Sequence, residues 1–160
     1  MTVTAAEIAR SQLGVVEDAG SNQDSAGFIA MYRNAVQDSR YQMKQGDAYC
    51  AAFVSWVLER AGTPLQHRWG WGISYVPWLK EHAEGLGIFD ATDVRYKPKV
   101  GDVVIYSERG GRPDHTGIVL ESHDDHYISV EANYNNGVNQ RKVSLDSEII
   151  LGYFSPSDLG

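Results

Sequence analysis

The chain has 160 residues, of which 42% are hydrophobic and 22% are charged, and its formal net charge at pH 7 is −7. This length and composition are typical of one globular domain, which we expect to span residues 1–160. The negative charge argues against binding to nucleic acid, because a phosphate backbone selects surfaces rich in Lys and Arg.

The N-terminal segment has neither the basic start nor the apolar stretch of a secretory signal peptide. No stretch approaches the roughly 20 apolar residues that a membrane-spanning helix needs. We therefore expect a protein that is made in the cytoplasm without a signal peptide and does not insert into a membrane. Any action outside the cytoplasm would then require release or delivery by another system.

Apolar residues at helical spacing dominate the first half of the chain. The predicted helices span residues 4–14, 25–37, 48–61 and 75–85. In the third of these, Asp47 is the expected N-cap and Gly62 the expected stop. This helix is apolar on nearly all sides, which is typical of a helix buried at the centre of a domain.

From about residue 100 the apolar pattern becomes typical of strands. The predicted strands span residues 103–106, 116–121, 126–132, 139–143 and 152–154. Helices followed by an antiparallel meander indicate an α+β fold, with N-terminal helices packed on a five- to six-stranded antiparallel sheet. Residues 38–48 and 65–74 are predicted to be irregular.

The single cysteine, Cys50, stands near the predicted start of the buried helix. A thiolate is the nucleophilic form of cysteine, and a helix N-terminus and a nearby imidazolium both favour it. The backbone N–H groups of the first helical turn can also stabilise an oxyanion. The alternative is that Cys50 is a small buried hydrophobic residue without a chemical role.

His115 is the preferred base among the five histidines, because it opens an apolar strand directly after a turn rich in Gly and Pro. Glu131 and Asn133 are two positions apart, so both point to one face of a strand. Either side chain is able to accept the hydrogen bond that orients a catalytic imidazole. The alternatives are a histidine that caps a turn and a polar strand face that is merely solvated.

Five segments together resemble the CHAP family, the cysteine, histidine-dependent amidohydrolases/peptidases. They are residues 50–56, 101–104, 115–119, 131–133 and 152–154. The resemblance implies a papain-like fold and cleavage of amide bonds in peptidoglycan peptides. It also implies that Cys50 is the nucleophile, His115 the base, Glu131 the third member and Asn133 an auxiliary polar group. Whether Glu131 or Asn133 orients His115 stays open at this point.

Some CHAP proteins carry an acidic calcium-binding cluster before the cysteine. Here residues 38–49 contain only Asp38 and Asp47 as acidic residues, so we expect no required metal or other cofactor. The polar run at residues 123–126 is predicted to be a solvated hairpin tip.

Three aromatic residues are further candidates for the site. Trp71 and Trp78 are candidate walls of a substrate groove, and Tyr49 is a candidate donor to the oxyanion or the substrate.

The leading hypothesis is a monomeric amidase or endopeptidase that acts on peptidoglycan through an acyl-enzyme, in a phage endolysin or a related lytic enzyme. A toxin delivered by a secretion system and a tail-associated lysin use the same site. A cytosolic amidase that acts on a small γ-glutamyl or polyamine conjugate is a second enzymatic alternative. A wall-binding module with a vestigial site is the alternative without catalysis.

Overall fold

A layer of helices packs on an antiparallel sheet in the part of the chain that the computed structural model describes, residues 3–92 and 96–160. The helices are α1 (Ala5–Ser11), α2 (Phe28–Asn34), α3 (Cys50–Arg60) and α4 (Val76–Gly85). The strands are β1 (Gln37–Asp38), β2 (Gln66–His67), β3 (Gly70–Trp71), β4 (Asp90–Ala91), β5 (Val103–Tyr106), β6 (His115–Ser122), β7 (His126–Ala132), β8 (Val138–Ser144) and β9 (Ile150–Phe154). A 3₁₀ helix at Pro156–Leu159 follows β9.

The main sheet has the strand order β4-β9-β5-β6-β7-β8, with every pairing antiparallel. This confirms the predicted α+β class with helices packed on a five- to six-stranded antiparallel sheet. A second, three-stranded sheet has the order β1-β3-β2 and lies in segments predicted to be mostly irregular. Each of its strands has two residues, which is too short to produce the alternation by which a strand is recognised.

Helix α3 differs at its start from the sequence prediction. It begins at Cys50 with Tyr49 as N-cap, so the prediction of an Asp47 cap is wrong. The Asp47 carboxylate instead accepts hydrogen bonds from the Lys44 N–H and the Tyr41 hydroxyl, each at 2.8 Å. Asp47 therefore stabilises the loop before α3 and does not cap the helix.

The end of α3 follows the prediction. Gly62 has a φ of +85°, its N–H donates to the Glu59 carbonyl, and the Thr63 N–H donates to the Leu58 carbonyl. This pair of bonds is a Schellman motif, in which a residue without a Cβ takes the left-handed position.

Both faces of the main sheet are buried where β5, β6 and β7 meet. One face packs on α1 and α3 and belongs to the larger core. Its sheet members include Val103, Ile105, Ile118, Leu120, Val130 and Ala132. The opposite face carries a smaller core of aromatic and β-branched residues, Val104, Tyr106, Val119, Tyr127, Val143, Ile150 and Tyr153. Glu131 and Ser129 are fully buried, so the solvated polar face considered as an alternative does not occur at these positions.

Candidate active site

The thiol of Cys50 lies at the N-terminus of the buried helix α3, and the residue is 6% exposed. The residue before it is tied to the sheet, because the Tyr49 N–H donates to Asn133 Oδ1 at 2.7 Å. Asn133 follows β7 with a φ of +61°, a left-handed conformation that Asn tolerates better than most residues. The end of β7 therefore fixes the position at which α3 begins.

His115 and Glu131 form a buried pair on neighbouring strands. His115 Nε2 lies 2.8 Å from Glu131 Oε1. The imidazole also stacks on the ring of Tyr106, its partner on β5, with centroids 5.7 Å apart and an interplanar angle of 18°. Gly117 provides the space for the carboxylate, since a Cβ there would lie 2.7 Å from Glu131 Cγ.

The carboxylate of Glu131 accepts three further hydrogen bonds. The Tyr106 hydroxyl and Ser129 Oγ each donate to Oε2 at 2.6 Å, and Arg141 Nη1 donates to Oε1 at 3.1 Å. Burial raises the pKa of Glu131, but the hydrogen bond and charge of His115, followed by the two hydroxyl donors, lower it below its ordinary value. Glu131 is therefore an ionised carboxylate at neutral pH.

The charge of His115 follows from the same contacts. Burial lowers its pKa, but hydrogen bonds and charges from Cys50 and Glu131 outweigh that effect and raise the pKa to about 10. The ring is then an imidazolium at neutral pH. Because Nε2 faces Glu131, Nδ1 is the nitrogen left for Cys50. An imidazolium beside a cysteine favours the thiolate form.

A pocket of about 370 Å³ gives access to these groups. The predicted site residues that line this pocket are Cys50, His115 and Asn133. One wall comes from the segment before α4 and its first turn, namely Ser74, Tyr75, Val76 and Pro77. The other wall is the connection between β5 and β6, namely Glu108, Arg109, Arg112, Pro113 and Asp114.

Trp78 lines a second pocket of about 390 Å³ that adjoins the first, because both contain Ala48, Ser74 and Tyr75. Trp71 is 49% exposed on β3 and is not part of either lining, so the structure does not bring it to the cysteine. This differs from the expectation that both tryptophans wall one groove. The difference arises because β3 pairs with β1 and β2 in the separate small sheet.

Tyr49 also differs from expectation. Its hydroxyl donates to Glu17 Oε2 at 2.7 Å, and its side chain is fully buried. Its N–H is engaged by Asn133. Tyr49 therefore has no free donor for an oxyanion or a substrate, and its place next to Cys50 serves to anchor the N-terminal loop.

Sequence reasoning missed the residues that surround Glu131. Tyr106 ends an apolar strand, Ser129 lies two positions before the glutamate, and Arg141 lies in an alternating strand. Each looks ordinary alone, and their convergence depends on strand register. The pairing of Tyr106 with His115 and of Ser129 with Arg141 brings them together.

Among residues 3–92 and 96–160, no group of three or more His, Cys, Asp and Glu side chains is placed to hold a metal ion. In the same ranges, the helices are too short or too polar to cross a membrane.

Comparison with protein families finds a match for this chain. The model described as the CHAP domain matches residues 41–133, more than half of the chain, and this span contains Cys50, His115, Glu131 and Asn133. No curated protein matches the sequence.

Proposed function

The chain belongs to the CHAP family, and on this basis we propose that it hydrolyses an amide bond in the peptide part of peptidoglycan with Cys50 as nucleophile. The family itself implies a peptidoglycan-related amidase or peptidase activity. One observation supports the finer proposal above the others. Glu131 is buried 2.8 Å from His115, and His115 lines the pocket of about 370 Å³ together with Cys50.

In the first step, the Cys50 thiolate attacks the scissile carbonyl carbon and its oxygen takes the negative charge. The His115 imidazolium then gives the Nδ1 proton to the nitrogen of the leaving amine. The carbon–nitrogen bond breaks, and a thioester remains on Cys50. Glu131 holds the ring in place through Nε2 and stabilises its positive charge before the transfer.

In the second step, His115 is neutral and accepts a proton from water at Nδ1. The resulting hydroxide adds to the thioester, and the carbon–sulfur bond breaks. This releases the product as a carboxylic acid, which loses its proton to the solvent, and restores the thiolate and the imidazolium. Both steps thus use one imidazole, first as an acid and then as a base.

The start of α3 supplies donors for the oxyanion. The first backbone bond within the helix runs from the Phe53 N–H to the Tyr49 carbonyl. The N–H groups at residues 50–52 therefore have no acceptor inside the helix, and that of Cys50 is the nearest to the reacting carbon. Donors fixed in this way need no reorganisation when charge develops on the substrate oxygen.

Peptidoglycan lies outside the cytoplasmic membrane, so the proposed enzyme acts there after release or delivery. A lytic role, in a phage endolysin or in a delivered toxin, is the setting that we propose. Expression in the cytoplasm and in the periplasm of the same bacterium tests it. Lysis only after periplasmic targeting, and only with Cys50 intact, is the expected result, whereas equal toxicity of a Cys50→Ala variant would contradict it.

Digestion of purified sacculi tests the proposed reaction. Sacculi from several wall types are incubated with wild-type protein or Cys50→Ala, and the released fragments are identified by mass spectrometry. New amino termini that only the wild type produces are expected, and their identity names the bond that is cut. Absence of fragments from every wall, with a thiol that still reacts with a labelling reagent, would exclude a wall substrate.

A further inference from the structure

Two arginines stand out on the wall formed by the β5–β6 connection. The chain as a whole is acidic, with 21 Asp and Glu against 14 Lys and Arg. Arg109 and Arg112 nevertheless both line the pocket of Cys50. Within residues 3–92 and 96–160, neither guanidinium forms an ion pair. Two positively charged residues thus line the pocket without a carboxylate partner among the described residues.

The acidic residues on the same wall are already engaged. Glu108 pairs with Arg141, with Oε1 and Nη1 2.5 Å apart. The Asp114 carboxylate accepts the N–H groups of Glu108 at 2.8 Å and Arg109 at 3.1 Å. These bonds fix the shape of the connection and direct the Asp114 oxygens toward its backbone. The charged side chains of this wall that form no ion pair with a described residue, and no bond to the backbone of the wall, are the two arginines.

Arg112 is also held across the pocket. Its Nη1 donates to the Tyr75 hydroxyl at 3.2 Å, and its guanidinium lies 5.9 Å from the centroid of that ring. Tyr75 belongs to the opposite wall, so the contact joins the two walls. A neutral phenol is a weaker acceptor than a carboxylate, which a guanidinium binds through two parallel charge-assisted bonds. A ligand carboxylate is therefore able to replace Tyr75 as the partner of Arg112.

We propose that Arg112, assisted by Arg109, binds a carboxylate of the substrate peptide and thereby selects substrates with a negative charge close to the scissile amide. This inference rests on the proposed function, because it assigns a binding role to the pocket in which Cys50 reacts. It places the recognised charge on the side of the pocket formed by the β5–β6 connection. The aromatic pocket that contains Trp78 lies on the side of the Tyr75 wall.

A peptide of the wall offers a carboxylate from two sources, the chain end and a branch along the peptide. Both present the same chemistry to a guanidinium. Three synthetic stem peptides of peptidoglycan separate them: one with all carboxylates free, one with the terminal carboxylate converted to a carboxamide, and one with the branch carboxylates converted. If converting one of the carboxylates to a carboxamide weakens binding, that carboxylate is the one that the arginines recognise.

Equilibrium binding is measured with the full chain carrying Cys50→Ala, so that no turnover interferes. Arg112→Gln in this background is expected to weaken binding of the free-carboxylate peptide by roughly tenfold or more, as for other hydrogen bonds to a charged group. Arg112→Lys keeps the charge but loses the planar fork. Its affinity for this peptide is expected to lie between that of Arg112→Gln and that of the chain with Arg112 intact. Arg10→Gln, an exposed arginine of α1 that is not part of the pocket lining, is the matched control and is expected to have no effect.

The outcome separates this inference from the proposed function. Equal binding of all three peptides, or an equal loss with Arg112→Gln for the free and converted peptides, would overturn the carboxylate site. Turnover of the same peptides by the chain with Cys50 intact is measured in parallel. Binding that depends on a free carboxylate, without any turnover, would support the carboxylate site and contradict the proposed hydrolysis. Turnover with equal binding of all three peptides would support the hydrolysis and contradict the carboxylate site.

Discussion

Glu131 carries the buried charge on which the proposed chemistry depends. It is fully buried and accepts hydrogen bonds from four side chains, those of His115, Tyr106, Ser129 and Arg141. A buried carboxylate without such partners would take up a proton instead of keeping its charge. The contact with Cys50, and the Glu131 charge that these donors maintain, raise the pKa of His115.

Glu131→Gln tests this dependence through the pH profile. Glutamine keeps an acceptor for Nε2 but removes the charge, so the pKa of His115 falls from about 10. We expect kcat/KM to decrease by roughly 10²- to 10⁴-fold, and the alkaline limb of its pH profile to move to lower pH. Glu121→Gln is the matched control, since that side chain is 48% exposed and, within residues 3–92 and 96–160, bonds only to His123. An alkaline limb that stays in place would show that Glu131 does not contribute, beside Cys50, to the raised pKa of His115.

Tyr106→Phe tests the hydroxyl that supports the carboxylate. It removes the 2.6 Å hydrogen bond from the Tyr106 hydroxyl to Glu131 Oε2. It also removes the 2.6 Å hydrogen bond between the Tyr106 and Tyr127 hydroxyls. Because a buried bond to a charged group is lost, the free energy of unfolding should fall by about 1.5–3 kcal/mol. Denaturant unfolding measures the change. Tyr153→Phe, in the same core but without a hydroxyl bond to any described residue, should have a smaller effect, and equal losses would contradict this account.

At the scale of elements, two sets of hydrogen bonds fix the start of α3 relative to the sheet and to α2. Asn133 at the end of β7 accepts the N–H of Tyr49, the residue before α3. Arg33 of α2 donates to the carbonyls of Asn22 and Asp47, each at 2.6 Å. The loop that precedes Cys50 is thereby bonded to both layers. The proposed nucleophile is thereby positioned before a substrate binds.

Strand β6 contributes a small residue where the glutamate of β7 requires room. A methyl group at position 117 would lie 2.7 Å from Glu131 Cγ and 3.1 Å from the Val130 carbonyl oxygen. Four hydrogen bonds hold the Glu131 carboxylate, so it has little freedom to yield.

Gly117→Ala should therefore destabilise the fold by about 1–3 kcal/mol and reduce kcat/KM by roughly tenfold or more. Denaturant unfolding and steady-state kinetics measure the two effects. Gly85→Ala, at the end of α4 with open space around it, is the control and should be neutral or slightly stabilising. Full activity of Gly117→Ala would mean that Glu131 does not need its present position.

For the whole molecule, the sequence predicts the order of the helix that carries Cys50, the strand that carries His115 and the strand that carries Glu131, because each of these elements is a local pattern. The buried helix after Cys50 and the alternation around Glu131 are examples of such patterns. The environment of Glu131 was not visible, because it depends on which residues face each other across the sheet. Tyr49 shows the same limit, since its partner Glu17 lies 32 positions earlier in a loop without periodicity.

The pH dependence of stability is a property of the whole fold. His115 has a pKa of about 10 against an ordinary value of 6.5, so its contribution is complete below pH 6.5 and is lost as the pH rises toward 10. Glu131 has a lowered pKa, so its contribution is present above its ordinary value of 4.5 and is lost in acid. Stability from this pair is therefore greatest between about pH 4.5 and 6.5.

Chemical unfolding at pH 6 and at pH 9.5 measures the alkaline side. The wild type should lose stability over this interval, and His115→Asn should lose less, because it has no proton to release. An equal loss in both proteins would show that other groups determine the alkaline dependence.

Trapping with hydroxylamine tests whether Cys50 forms the proposed acyl-enzyme with a wall peptide. Sacculi are digested in increasing concentrations of hydroxylamine, and the acyl end of each new cleavage is identified by mass spectrometry. A thioester predicts a growing share of hydroxamate at those ends with the wild type, and no cleavage with Cys50→Ala. Cleavage by Cys50→Ala, or carboxylate ends alone at every hydroxylamine concentration, would contradict the account.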